Sequence, residues 1–281
     1  MSSLTFHPAD RHTFDELSAL LTRAYTGYSV PLQIDAAGFE SMVNTYDIDL
    51  TASRVGVVGG APVALALLGV RGHRGWIGGM GVAPARRGQG VGTAVTRAVI
   101  NSARARALRS IDLEVLTNNT PAAQIYERLG FKRRRILDTW TRESDSTFPM
   151  PPRDTVEPLD VAGCLSVFEE LHAVTPPWQR DLPVLQRLAA DLHTIGIMLD
   201  DHVVSYLMYR MDGARVRIVD VAAAPGHRTT TIESMLRALI RDRSGSPIRL
   251  VNLPQDDPAS SVMHRIGAVV EMQQHEMTLN L

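Results

Sequence analysis

The sequence predicts a mixed α/β protein made of two copies of one unit, each a mostly antiparallel sheet flanked by helices. Three observations lead there. The order of strand-like and helix-like segments in the first half is repeated in the second. In each half, β-rich runs follow one another across short glycine or aspartate turns, which is the pattern of hairpins. Between the halves lies Glu143–Arg153, a polar, proline-rich stretch with neither a helical nor a strand period, which reads as a linker. The 281 residues therefore divide into an expected domain at 1–142, a linker at 143–153 and an expected domain at 154–281.

In the first half, Leu4–Phe6 is a short strand, and Thr13 is placed to cap a helix running to Ala24. Ala36–Val43 is a second helix. Arg54–Val58, Val63–Val70 and Gly75–Val82 are strands of an antiparallel meander, with turns at Gly59-Gly60 and at Arg71–Arg74. Gly90–Ala107 is a long amphipathic helix, Ile111–Leu116 a strand, Pro121–Leu129 a helix with proline in its first turn, and Lys132–Leu137 a strand. The second half repeats the order: strand Thr155–Glu157, helices Ala162–His172 and Leu182–Leu192, then a meander of Thr194–Leu199, Val203–Met211 and Arg215–Ala222. Helix Thr230–Arg243, strand Ile248–Leu253, helix Pro258–Arg265 and one or two strands over Val269–Leu279 complete it. Residues repeat as well: Pro121–Gly130 aligns with Pro258–Gly267, and Val82–Arg87 with Ala223–Arg228.

Composition narrows the class. With 44% hydrophobic and 21% charged residues and a net charge of -1, the chain has core-forming material and is not intrinsically disordered. No apolar run is long enough to span a membrane. No basic start followed by an apolar stretch marks a leader, so a cytoplasmic location is expected. The single cysteine, Cys164, excludes an intrachain disulfide and a cysteine-based metal site, and no metal is expected. Lys132 is the sole lysine. Residues 1–143 hold 17 basic against 12 acidic residues and the remainder 12 against 18, so the first half is the cationic one and suits an anionic ligand.

The most informative segment is Val82-Ala-Pro-Ala-Arg-Arg-Gly-Gln-Gly-Val-Gly92, which follows a strand and opens a helix. Glycines there reach backbone angles closed to other residues and let a ligand approach the main chain. Free N–H groups at a helix start suit a phosphate or pyrophosphate, and Arg86 and Arg87 add positive charge. A Walker A loop would need lysine where Thr93 and Ala94 stand. A dinucleotide site would need a parallel βαβ unit, and although Asp112 lies at the right distance, the preceding strands are joined as hairpins. A pyrophosphate loop for an acyl-coenzyme A and a turn that binds nothing remain.

Arg87-Gly-Gln-Gly-Val-Gly92 resembles the Arg/Gln-x-x-Gly-x-Gly/Ala signature of the GNAT acyltransferase superfamily at every defined position. Gly81-Val-Ala-Pro84 before it is also typical. So is a second group downstream: Asn119-Thr-Pro-Ala122, Tyr126 and Leu129-Gly-Phe131. The resemblance covers residues 1–142 and makes the whole chain similar to a tandem GNAT arrangement. It implies strands four and five splayed apart, with the pantetheine of acetyl-coenzyme A against Met80, Gly81 and Val82. The main-chain N–H groups of Arg87, Gly88, Gln89, Gly90, Val91, Gly92 and Thr93 would hold the pyrophosphate. Asn119 and Ala122 would contact the same cofactor, and Tyr126 would protonate the leaving thiolate. The acceptor site falls on Tyr25–Pro31, with Tyr25 and Tyr28 as lining residues.

An amine acceptor needs a base, because it is mostly protonated at neutral pH. Glu114 is the candidate: it shares one face of its strand with Asp112, opposite Leu113 and Val115. Asp47 and Asp49 are further acids within reach. In the second half the alignment replaces Gly88, Gly90 and Gly92 by Thr229, Thr231 and Glu233, Asn119 by Asp256 and Tyr126 by Met263. That half reads as a degenerate copy.

The expected function is an acetyl-coenzyme A-dependent N-acetyltransferase that acetylates a primary amine on a small molecule by direct attack on the thioester. Two alternatives stay open: a non-catalytic acyl-coenzyme A sensor or binding module, and acetylation of a protein amine. Lys132–Arg135 is a basic run but carries no nucleic-acid motif, so neither nucleic acid nor membrane is an expected partner. A homodimer is left open.

Overall fold

The computed structural model describes residues 3–144 and 155–281; the expected linker, beyond Glu143 and Ser144, lies outside the described residues. The chain forms two compact units, one made of residues 1–134 and 275–281, the other of residues 135–274. This division departs from the expected domains at 1–142 and 154–281.

Unit 1 contains β1 (Leu4–Pro8), α1 (Phe14–Ala24), α2 (Ala36–Thr45), β2 (Arg54–Val58), β3 (Ala61–Arg71), β4 (Arg74–Val82), α3 (Val91–Ala105), β5 (Ser110–Leu116) and α4 (Thr120–Arg128). Thr13 closes a capping box with Glu16 at the start of α1, as its position suggested. The β2–β3–β4 meander is antiparallel. Leu17, Leu20 and Leu21 of α1 pack with Phe39 of α2 on one face of the sheet. Val91, Val95 and Val99 of α3 pack with Tyr126 and Ala123 of α4 on the other.

Unit 2 contains β6 (Lys132–Arg142), which begins in unit 1, then β7 (Glu157–Pro158), α5 (Val161–Ser166), α6 (Phe168–Leu171), α7 (Leu182–Leu188), β8 (His193–Leu199) and β9 (His202–Asp212). It continues with β10 (Arg215–Ala223), α8 (Arg228–Asp242), β11 (Ile248–Pro254), α9 (Pro258–Arg265) and the start of β12 (Val269–Asn280). The expected helix 162–172 is broken into α5 and α6, because Asp160 caps the first turn and Val167 leaves the helical path between them.

The last strand of each half crosses over. In unit 1 the strand order runs β1-β2-β3-β4-β5 and then β12. In unit 2 it runs β6-β11-β10-β9-β8-β7. β6 pairs antiparallel with β11, from Arg142 opposite Ile248 to Leu137 opposite Pro254. The end of β12 sends Met277 and Leu279 into the core that holds Tyr126. Hydrophobic pattern alone cannot reveal this exchange, since either strand fills either slot.

One parallel pairing in each unit is incomplete. β4 pairs with β5 only from Arg74 opposite Ser110 to Ile77 opposite Leu113, and then runs on to Val82. β10 pairs with β11 only from Val216 to Ile218 and runs on to Ala223. Each departure follows a bulge, at Gly78 in β4 and at Val219 in β10. No described helix is long and apolar enough to cross a membrane.

Candidate active site

The open end of the β4–β5 pair in unit 1 is where the glycine loop begins. Pro84–Arg86 form a short 3-10 turn, and the Arg87 amide donates to Pro84 O at 3.2 Å. Beyond it, the amides of Gly88 to Thr93 donate to no backbone carbonyl among the described residues; the first bond of α3 is Ala94 N–H to Gly90 O at 3.1 Å. Arg87 therefore stands apart from the six amides that follow. Gly88 and Gly90 have φ of +74° and +77°, with open space where a Cβ would stand. Backbone conformation, and not crowding, is what selects glycine there. Gly92 is already helical, and a Cβ on it would touch Val82 and Ile125.

The tyrosines and Asn119 meet beside this loop. Asn119 caps α4, accepting from Ala122 N–H at 3.3 Å, while its Nδ2 donates to the Tyr28 hydroxyl at 2.6 Å. The Tyr25 and Tyr28 rings lie 5.1 Å apart, and Tyr25 hydrogen-bonds the Met80 backbone. Burial pushes the Tyr25 phenol up to about 12, with Tyr28 adding to the rise. Burial, then Tyr25 and Tyr28, hold the Tyr126 phenol far above the ordinary tyrosine range. Tyr28 is also raised, chiefly by burial. Thus Tyr25, Tyr28, Met80, Asn119 and Tyr126, far apart in sequence, form one cluster.

Glu114 belongs to a different pairing. The Trp76 indole Nε1 donates to its Oε2 at 2.9 Å, and Tyr46 packs against the Trp76 ring at 5.8 Å. Gly78 makes room for that indole, since a Cβ there would sit 2.1 Å from the ring. Asp112, on the same strand face, accepts from Thr278 Oγ1 of β12 at 2.6 Å. The other acids are committed elsewhere. Asp47 pairs with Arg71 at 2.6 Å, and Asp49 accepts from Thr51, Ala52 and Arg106. Both pair with arginines 24 and 57 positions away, which their own spacing did not reveal.

The equivalent place in unit 2 is built differently. Asp220 follows the β10 bulge as Gly79 follows the β4 bulge. It accepts from Arg180 Nη2 at 2.8 Å and Tyr206 OH at 2.9 Å, and lies 3.2 Å from His172 Nε2. Burial opposes its ionisation, but His172, Arg180 and Tyr206 hold the carboxyl well below its usual range. Helix α8 starts at Arg228, so Thr229–Thr231 are helical, with Thr231 N–H bonded to His227 O at 3.0 Å. Met263 is fully buried, and Asp257, not Asp256, caps α9. Trp178 is a buried core residue beside Arg180.

The fold is similar to those of solved GCN5-related acetyltransferases. A GCN5-related N-acetyltransferase from Sphaerobacter thermophilus superposes with a TM-score of 0.71 at 15% identity, covering 99% of this chain and 95% of that one. A tandem GNAT protein from the clavulanic acid biosynthesis pathway superposes with 0.70 at 15% identity, covering 99% and 98%. The model of the acetyltransferase (GNAT) family matches residues 15–131, which lie in the first unit. A mycothiol acetyltransferase of Streptosporangium roseum is 44% identical over 54 residues, 19% of this chain and 16% of the relative. An uncharacterised N-acetyltransferase of Methanocaldococcus jannaschii is 38% identical over 61 residues, 22% of this chain and 27% of the relative. The matched stretches span about a quarter or less of these relatives' length.

Proposed function

We propose that unit 1 is an acetyl-coenzyme A-dependent N-acetyltransferase that acetylates a primary amine on a small molecule. The observation that carries this is the run of amides from Gly88 to Thr93, without backbone acceptors, at the open end of β4 and β5. Such a run at a helix start fits a pyrophosphate. The edge of β4 at Met80–Val82, unpaired with β5, fits an extended amide-bearing arm, and Asn119 and Ala122 border it. When bound, acetyl-coenzyme A supplies the acetyl group as a thioester.

The chain's own groups then have distinct tasks. Tyr25 and Tyr28 line the acceptor side. Glu114, oriented by the Trp76 indole, takes a proton from the incoming ammonium. Tyr126 delivers a proton to the departing sulfur. Burial raises its pKa, so the hydroxyl is protonated through the physiological range but is a weaker acid than a free tyrosine, and it gives up the proton only as negative charge builds on the sulfur. Unit 2, with its helical Thr229–Thr231 and buried Met263, takes no part in cofactor binding.

The test is calorimetric titration with acetyl-coenzyme A, followed by thiol release against a panel of primary amines. One site per chain and amine-dependent release support the reading. Binding without release from any amine makes the chain a sensor, and no binding by cofactor-free protein removes the enzyme reading.

A further inference from the structure

Arg87 carries the signature's first position, yet its side chain is not turned over to a ligand. Its Nε donates to Val82 O at 3.1 Å, and its Nη2 donates to Ala24 O at 3.0 Å and to Thr26 O at 2.7 Å. The last two acceptors lie at the end of α1 and in the acceptor-side loop. Gly27, at φ +74°, passes so close that a Cβ would sit 3.9 Å from Arg87 Nη1. The same loop is tied at two more points. Tyr25 bonds the Met80 backbone, and Tyr28 accepts from Asn119 Nδ2 at 2.6 Å. Three segments expected to hold coenzyme A (80–82, the glycine loop and Asn119) therefore each end on residues 24–28.

The duplicated unit acts as an internal control. Arg228 aligns with Arg87 and keeps the strand bond, Nε to Ala223 O at 3.3 Å. Among the described residues it makes no hydrogen bond to the end of α5 or α6, and it opens a regular helical turn in place of free amides. The bond common to both units is thus the local brace. The two carbonyl bonds to 24–28 occur only where the loop has amides to offer.

On the acetyl-coenzyme A reading above, we propose that Arg87 is a positioning residue that couples the donor and acceptor sides. Its guanidinium fixes residues 24–28 to the mouth of the glycine loop, so that coenzyme A on the Gly88–Thr93 amides orders the acceptor loop. Coupling of this kind is reciprocal: a bound acceptor tightens coenzyme A by the same factor.

The test is amide hydrogen exchange of the full chain, read on peptides covering 24–28, with and without saturating coenzyme A. Wild type is compared with Arg87→Lys, which keeps the charge but cannot reach three carbonyls at once. Gly27→Ala strains the loop at its positive φ while leaving the Arg87 guanidinium in place, since the added Cβ meets it only at ordinary contact distance. In both variants the unliganded loop is expected to exchange about 5-fold faster or more, while peptides from α3 stay unchanged. Coenzyme A should slow the wild-type loop by about 10-fold. Arg87→Lys should bind coenzyme A within about 3-fold of wild type yet lose most of that slowing. Normal loop slowing in Arg87→Lys together with a loss of affinity of about 30-fold or more would make Arg87 a phosphate ligand and overturn the proposal. Unchanged loop exchange in both variants overturns it too. If wild type binds no coenzyme A, the functional reading fails and the coupling with it, while the unliganded comparison still separates a tie that exists from one that does not.

Discussion

The two units share an element order and an unpaired end on the parallel strands, but they spend that opening in opposite ways. In unit 1 the residue after the bulge is Gly79, three alternate glycines follow, and six amides are left open. In unit 2 the same position is Asp220, fully buried with Arg180, His172 and Tyr206, and the glycine loop has become the first turn of α8. A buried ion network of this kind is costly to break, because removing one member leaves a buried charge uncompensated. The opening is therefore a property of the fold, whereas its availability is decided by a handful of side chains.

The largest expected effect concerns the strand exchange. Removing residues 275–281 takes Met277 and Leu279 out of the unit 1 core together with the end of β12. The loss is on the order of 5 kcal/mol or more, comparable to a domain's whole stability. Unit 1 should fail to fold cooperatively in a denaturant titration followed by circular dichroism. A truncated chain that unfolds like wild type would mean that the units are separable at the linker after all.

Next comes the loop itself. Gly90→Glu places a side chain at φ +77° and a negative charge beside the amides. Acetyl-coenzyme A affinity should fall by about 100-fold or more, since strain and charge act together. Thr231→Glu, at the aligned position of unit 2, should leave affinity unchanged. Equal effects in calorimetry would erase the contrast between the units. Tyr126→Phe should lower amine-dependent turnover by about 100-fold with little change in cofactor affinity, in the range seen for a lost general acid. Because the Tyr126 phenol is held above the ordinary range, wild type should show no loss of activity on its account below about pH 10.

The fold class, the meander, Thr13 and the glycine loop were all legible in sequence, because each is a local pattern: alternation, a cap, or glycines at positive φ. The assembled site was legible only in part. Asn119 and Tyr126 stood out, but nothing local shows that Tyr28 accepts from Asn119 across 91 positions or that Trp76 holds Glu114. Arg87 was expected at the pyrophosphate, and its three carbonyl bonds follow from where α1 ends. The exchange of β6 and β12 was invisible for the same reason: strand partnership is a long-range property.

The unit 2 network makes a weaker, pH-dependent contrast. Asp220 has a folded pKa below its ordinary value, so its contribution is present above that ordinary value and is lost as pH falls through the folded one. His172 is shifted the other way. Burial lowers it, but Asp220 outweighs burial and the net shift is upward. Its contribution is present below the ordinary histidine value and is lost as pH rises through the folded one. Unit 2 should therefore be most stable between about pH 4 and 6.5. Asp220→Asn should cost about 3 kcal/mol at pH 6 and flatten that optimum, measured by urea unfolding across pH. An optimum that survives the substitution would assign it to other groups.

The smallest expected effect tests the base. Trp76→Phe keeps the ring against Tyr46 but deletes the indole N–H that donates to Glu114. One hydrogen bond to a charged acceptor is worth about 1.5–3 kcal/mol where it is made. Much of that is recovered by water if the carboxylate turns outward. Turnover should fall by about 10-fold, because the carboxylate loses the donor that holds it in place. Glu114→Gln should lower turnover by about 100-fold. If both variants turn over like wild type, the amine loses its proton to water rather than to this strand. Glu114 is then a structural partner of Trp76, as the ion-paired Asp47 already is of Arg71.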